Sequence, residues 1–411
     1  MKLDTRKRNI LFLNYLEGVP EPNLGGPNHV IYDFISNYTG SRLSFDFFSY
    51  GAFIHNLESA FQDLPDEKFK GIKKYTHGLY YRNALFRSIV SNSYYKPFHF
   101  FKHNRYFSKQ MPKQEYDIIH AQDSISLSFY AKKSTAKKLM TIHHHIPYSM
   151  DLSLSIQNKL IQNKVYRSLR SREVESVNHS DVITFPSNSV RSYFFNELGE
   201  FPDKDVRVIY NGVDIGKINS TSPGNVENFG VDINRQYDFI ILSVASHEKY
   251  KNLELVLKTI EYIKNHYGKN VLFVNCGEGS LTKELNKLSI DLGIAENVKF
   301  LGKVPNETVI KLMKVADIFL HLPERVVFDL SILEALACTT CVVASNRGGN
   351  AEVIKNGYNG YLIDDLIPEI VSTTIINADK NKTKVNAIDS VKSYSIENYV
   401  RQYTKLYEEL S

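Results

Sequence analysis

The stretch NILFLNYLEGVPEPNLGGPNHVIYDFISN, residues 9–37, sets the reading of the whole chain. Asn9 to Asn14 is an apolar run of strand length, a Gly25, Gly26, Pro27 turn follows, and Asn28 to Asn37 carries helical spacing. Strand, glycine turn and helix in that order form a βα unit, and the alternation continues downstream. Asp117 to His120 (DIIH), Lys138 to Ile142 (KLMTI), Asp181 to Phe185 (DVITF) and Val206 to Tyr210 (VRVIY) read as further short strands. Such alternation predicts a parallel sheet covered by helices on both faces.

Between Asp214 and Tyr237 the pattern stops, and Ser, Asn, Gly and Pro accumulate as in a linker. A second series then begins: Phe239 to Ser243, Val271 to Asn275, Val298 to Leu301, Ile318 to Leu322 and Thr340 to Ala344 read as strands, with helices such as Asn252 to Asn265 and Leu281 to Leu292 between them. A chain of 411 residues exceeds one core at roughly 100–200 residues per domain, so the reading is α/β with two Rossmann-like, doubly wound halves. The final helix, about Ser395 to Glu409, places Ile396, Tyr399, Val400, Tyr403 and Leu406 on one face.

Hydrophobic residues at 43% and charged residues at 23% describe a folded chain and exclude disordered or collagen-like classes. The three cysteines, Cys276, Cys338 and Cys341, are too few for a disulfide-stapled secreted fold and point to a reducing compartment. No apolar run approaches the ~20 residues needed to span a bilayer, and Met1 to Asn9 is polar with no secretory apolar region behind it. A cytoplasmic location is the expectation. The net charge of +5 is uneven: residues 1–200 hold 26 Lys and Arg against 18 Asp and Glu, and residues 201–411 hold 24 against 27. Lys68 to Lys113 contains eleven Lys or Arg, twelve Phe or Tyr and no acid. Cations and aromatics together suit an anionic membrane surface, which places the chain peripherally on the inner face of the plasma membrane. They suit equally a core of aromatics under a solvated basic face. Nucleic acid is excluded as partner, because no nucleic-acid motif accompanies the Rossmann-like halves.

Ligands of open α/β sheets sit outside the carboxyl ends of the strands, so two such domains in tandem leave a cleft there. The richest cluster lies in the second half: Glu324, Arg325, Phe328, Asp329 and Leu330, then an apolar helix containing Glu334, then Gly348, Gly349, Asn350 and Glu352. A helix entrance near Phe328 to Leu330 offers unpaired N–H groups and the positive dipole end to a diphosphate or sugar oxygen. Glu334, a carboxylate in an apolar helix, needs a partner: the hydroxyls of a ribose, or a neighbouring Arg or Lys. His143, His144 and His145 invite a metal reading, but successive side chains on an extended segment diverge and no Cys or acidic partner lies at ligand spacing, so metal binding is rejected and no cofactor is expected.

The block from Val315 to Ile363, VADIFLHLPERVVFDLSILEALACTTCVVASNRGGNAEVIKNGYNGYLI, resembles the donor-binding signature of family 4 of the retaining nucleotide-sugar glycosyltransferases. The resemblance extends over nearly the whole chain, through Gly25 and Gly26, DIIHAQD (117–123), TIH (141–143), VIYNGVD (208–214), LSVASHEKYKN (242–252) and CGEG (276–279). It implies the GT-B fold, with an acceptor domain over residues 1–214 and a donor domain over 236–391 facing each other across a cleft, and a terminal helix in 392–411 returning to the first domain. It implies Lys251 on the donor diphosphate, Glu334 on the ribose, and His143 donating a hydrogen bond to the transferred sugar or reaction centre. Gly25 and Gly26 would let backbone approach a phosphate or the acceptor, and Gly277 belongs to the nucleotide loop.

Two positions depart from the family pattern. Val326 stands eight residues before Glu334, where the family has a sugar-binding glutamate, and Ser246 stands where it has a phosphate-binding arginine. Glu324 or Asp329 would have to serve the sugar hydroxyls, and Arg347, Lys249 or Arg325 the phosphate. The implied activity is transfer of a hexose or N-acetylhexosamine from a nucleotide diphosphate donor, UDP-linked, to a hydroxyl of a glycan or lipid-linked saccharide, in bacterial surface polysaccharide synthesis. The alternatives are a catalytically degenerate partner subunit of the same fold that binds glycan or another transferase, for which Val326 and Ser246 argue, and a nucleotide-sugar epimerase, which needs an acid and base carboxylate set.

Overall fold

The structure, a computed structural model, describes residues 7–17, 19–20, 27–50, 52–62, 95–130, 134–154, 156, 158–224 and 237–410. The chain divides into two compact units, one of residues 1–186, 190–209 and 400–411, the other of residues 187–189 and 210–399.

In the first unit β1 (Arg8–Glu17) is central, between β2 (Leu43–Tyr50) and β4 (Ile118–Ala121), and the order is β3-β2-β1-β4-β5-β6-β7, with β3 (Ala52–Ile54), β5 (Lys137–Thr141), β6 (Val182–Phe185) and β7 (Asp205–Val208). All pairings are parallel except that of the short edge strand β3 with β2. Ile10, Leu11, Phe12 and Leu13 are all buried, as a strand covered on both faces requires. The strands β2 and β3 escape a reading based on apolar runs. Asp46 interrupts LSFDFFSY, and it is tolerated because the Asn56 N–H (2.9 Å) and the Tyr116 hydroxyl (2.9 Å) donate to it.

The second unit repeats the plan in the order β10-β9-β8-β11-β12-β13, with β8 (Phe239–Val244), β9 (Val271–Cys276), β10 (Val298–Phe300), β11 (Ile318–His321), β12 (Cys341–Ser345) and β13 (Gly360–Ile363). Neighbouring residues of a strand enter opposite cores: Ile241 packs on the side of the Leu253–Tyr267 helix, and Leu242 on the side of the Asn306–Met313 and Leu330–Ala337 helices. Chain order reverses between β8 and β11, which makes their carboxyl ends the topological switch point of this sheet. Within the expected linker, Asp214 caps a short helix, Ile215–Ser220, by accepting from the Lys217 N–H (2.7 Å).

The Ile396–Glu409 helix begins in the second unit, and its residues from Val400 belong to the first. Tyr403 and Tyr407 are 2% and 1% exposed, and their rings meet Phe34 edge-on at 6.2 and 5.9 Å. This helix therefore closes a core that the first unit's own strands leave open. Tyr403→Ala removes a buried ring and a hydroxyl, so a loss of about 3–5 kcal/mol is expected, read as an earlier urea unfolding transition of the first unit.

Candidate functional site in the second unit and the histidine cluster in the first

At the switch point of the second unit, β11 ends in His321 and the loop after β8 ends in Lys251. Asp329 is the N-cap residue of the Leu330–Ala337 helix, yet its side chain makes no capping bond. The carboxylate turns instead to His321 Nε2 and lies 3.7 Å from Lys251 Nζ. Burial presses the Asp329 carboxyl upward, but the charges of His321 and Lys251 outweigh it and hold the group below the ordinary carboxylate range. An ionised carboxylate, a lysine and a helix entrance thus share one corner of this unit.

The loops around that corner are pressed together. Gly348 adopts φ +51°, and a Cβ there would lie 2.0 Å from the Val326 carbonyl oxygen. Val326 is itself 2% exposed, so the side chain standing where the family has a glutamate packs inward and offers nothing to a sugar. Glu324 and Arg325 are exposed, and the Glu324 N–H donates to the Tyr250 carbonyl at 2.9 Å. Phe328 is a core residue against Tyr210 and Tyr394, with ring centroids 5.4 and 5.9 Å away. Leu330 is partly buried against the same core. Arg347 is drawn to the carbonyls of Asn346 (3.0 Å) and Asp364 (2.9 Å).

Glu334 accepts from the Asn306 carboxamide at 2.7 Å, a neutral donor where the sequence left a ribose or a basic side chain open. The Gly277 N–H donates to the Gly302 carbonyl at 2.8 Å, and a Cβ on Gly277 would strike the Ala245 carbonyl at 2.0 Å. Ser246 is half-buried, and its carbonyl accepts from the Glu248 N–H at 2.8 Å. Beside this loop lies a cavity of about 340 Å³ lined by His247, Gly277, Glu278, Thr282, Phe300 and Gly302, among others, a size within the range of ligand pockets. His247 is fixed within its wall by Asn275 Oδ1 (2.7 Å) and Thr282 Oγ1 (2.8 Å). His247 and His321 lie inside the quoted motif stretches without being singled out by them, and Asn306, which opens a helix, lies outside those stretches.

In the first unit the three consecutive histidines part at the end of β5. His143 Nε2 meets Gln122 Oε1 at 2.7 Å, His144 Nε2 meets Ser124 Oγ at 3.2 Å while its ring stacks on Tyr148, and the His145 ring lies beside Tyr193. Ser124 donates to the buried Glu173 at 2.6 Å. Asp123 has no exposed surface and accepts the N–H groups of Tyr15, Ile125 and Ser126 at 2.7–2.8 Å, which pins the loop after β4 to β1. Burial holds His143 down at about 4 and His144, with His143 beside it, at about 3, so both rings are neutral near pH 7. Gly25, Gly26 and residues 68–94 of the basic aromatic segment lie outside the described residues. In its described remainder, Phe107 is fully buried against Phe48, Phe129 and Tyr15, so this aromatic residue serves the core. Among the described residues no helix is long and apolar enough to cross a membrane.

The unfolded chain takes up protons on these histidines from ~6.5 downward, whereas the native rings wait until about 4 and 3. Their contribution is therefore complete above that upper value and lost as pH falls toward 4. The expected result is a first unit whose denaturation midpoint declines between pH 7 and 4, with a flatter decline in a His143→Asn, His144→Asn variant. For Gly348→Ala, the strained φ and the blocked approach to Val326 predict a loss of at least about 1–3 kcal/mol, measured on the second unit by thermal unfolding.

The family Glycosyl transferases group 1 matches residues 227–390, and Glycosyltransferase Family 4 matches residues 62–217. An uncharacterised glycosyltransferase of Methanocaldococcus jannaschii is 26% identical over 72% of this chain and 76% of its own. The N-acetyl-alpha-D-glucosaminyl L-malate synthase of Bacillus anthracis is 26% identical over 69% of this chain and 71% of its own. Among solved structures, Anabaena HepE in complex with UDP superposes with a TM-score of 0.64 at 18% identity, covering 98% of this chain and 100% of that one. Taken with the two reversed-order parallel sheets, these matches place the chain in glycosyltransferase family 4, with the GT-B fold.

Proposed function

We propose that this nucleotide-sugar glycosyltransferase moves a hexose or N-acetylhexosamine from a UDP-linked donor to a hydroxyl of a glycan or lipid-linked saccharide, with retention at the anomeric carbon. Surface polysaccharide synthesis on the inner face of a membrane is the setting this reading favours. The observation that carries it is the Lys251, Asp329 and His321 corner at the switch point of the second unit. A compact ammonium held beside a helix entrance suits a departing diphosphate, whose charge grows as the sugar leaves. Asp329, ionised and turned away from capping, takes over the sugar hydroxyls that Val326 does not reach. Glu334, already oriented by Asn306, accepts from the ribose hydroxyls, and the backbone at Gly277 lies beside the nucleotide. Support for UDP comes from HepE, solved with that nucleotide. Support for an N-acetylhexosamine and an α-linkage comes from the name of the Bacillus anthracis relative.

In this reading the acceptor oxygen bonds to the anomeric carbon as the carbon–oxygen bond to the β-phosphate breaks, on the same face. The acceptor proton passes to an oxygen of the leaving diphosphate, so no enzymic nucleophile or acid and base carboxylate pair is needed. The protein contributes positioning and charge stabilisation. The acceptor belongs to the first unit, where His143 sits at a strand end among buried polar groups.

Val326 and Ser246 favour the second reading, a partner subunit without turnover. The two separate on nucleoside diphosphate release, after thermal-shift screening of UDP- and GDP-linked sugars has identified the donor. A transferase is expected to lose about 10²–10³-fold in kcat on Lys251→Ala. On Glu334→Ala its KM for the donor is expected to rise about tenfold. No release from the wild-type chain with any binding donor and a panel of glycan acceptors would leave the partner-subunit reading standing.

A further inference from the structure

A line of buried hydrogen bonds runs from the terminal helix to His143, all within the first unit. Tyr407 Oη lies 2.7 Å from His120 Nδ1. His120 Nε2 lies 2.7 Å from Thr141 Oγ1 and 3.0 Å from Gln122 Nε2. Gln122 Oε1 lies 2.7 Å from His143 Nε2. His120 and Gln122 are 2% and 3% exposed, and the Gln122 backbone is tied to Leu13 by a 2.8 Å bond. Burial holds His120 well below its ordinary range, so its ring carries one proton and not two.

A carboxamide has one donating end and one accepting end, which gives the line a direction. With its NH₂ toward His120, Gln122 requires His120 Nε2 to be bare, and the single His120 proton then sits on Nδ1 and is donated to Tyr407. The Gln122 carbonyl accepts from His143 Nε2–H, so His143 presents Nδ1 as a lone pair. If the His120 proton moved to Nε2, facing Thr141, the carboxamide would have to turn over, and His143 would become a donor at Nδ1 instead.

We propose that Tyr407 is a positioning residue that sets the tautomer of His143 through His120 and Gln122, so that His143 accepts a hydrogen bond from a substrate hydroxyl rather than donating one. This rests on the transferase reading only for its catalytic consequence. The terminal helix thereby does more than close a core: its hydroxyl supplies the acceptor for a proton on His120 Nδ1, and without that acceptor the proton is expected on Nε2, facing Thr141. The ligand chemistry that fits is a neutral sugar hydroxyl, which donates to a lone pair; a phosphate or carboxylate oxygen would be repelled by it.

The test uses the full chain labelled with ¹⁵N in its imidazoles, where long-range proton–nitrogen spectra distinguish the tautomers and His143→Asn identifies the His143 signals. The wild type is expected to show His143 protonated on Nε2 and His120 on Nδ1. Tyr407→Phe is expected to move His143 to the Nδ1-protonated or averaged pattern, and to lower kcat about tenfold with the donor KM changed less than about twofold. Adding Gln122→Glu, whose carboxylate accepts from both rings, is expected to return His143 to Nε2–H in the Tyr407→Phe background. A His143 tautomer unmoved by Tyr407→Phe overturns the proposal. Should that variant fail to fold, Gln122→Glu alone decides: it must shift the His120 proton to Nε2 while leaving His143 on Nε2, and a His120 still protonated on Nδ1 overturns the coupling. The spectra need no substrate, so a chain with no turnover but a moved tautomer removes the transferase reading and keeps the relay. An active Tyr407→Phe variant with an unmoved tautomer does the reverse.

Discussion

A carboxylate that is only partly solvated must be compensated where it stands, and in the second unit that requirement falls on Asp329. Its compensation by His321 and Lys251 ties the end of β11 to the loop after β8, the two strands between which chain order reverses. With the Asp329 side chain committed there, it makes no capping bond to its own helix, and only its backbone carbonyl serves the first turn, accepting from the Ile332 N–H at 3.1 Å. The segment before it packs against the loop after β12, where Gly348 and Gly349 approach the Val326 and Val327 carbonyls so closely that no Cβ fits. The buried Val326 is thus part of the same arrangement and not an isolated loss.

The first unit meets a different version of the same requirement. Its sheet contributes His120, Thr141 and Thr184 to the layer under the terminal helix, and each polar atom there finds a partner among Tyr403, Tyr407 or Gln122. Burying such groups is tolerable only when the network is complete, and a complete network also specifies orientation. Burial keeps the His120, His143 and His144 rings of this unit neutral.

Much of this was legible along the chain. Apolar runs located most strands of both sheets because parallel strands buried on two faces have nowhere to place polar residues. The Asp46-bearing β2 and the three-residue β3 were not legible, since Asp46, met in the fold by Asn56 and Tyr116, breaks the apolar run of LSFDFFSY. Lys251, Asp329 and Glu334 were visible as motif positions. Their partners His321 and Asn306 were not, because hydrogen-bond partners at eight or twenty-eight residues' separation are chosen by how strands and helices stack.

The sequence by itself determined the βα alternation, the repetition of that plan in a second half and the residue types at the strand ends, because periodicity and burial act locally. Only the tertiary structure decided that Val326 faces inward, that Asp329 gives up its cap for Lys251, and that Tyr407 reaches His120. Those outcomes depend on which groups arrive within hydrogen-bonding distance once the sheets are formed, a quantity with no local trace in the chain.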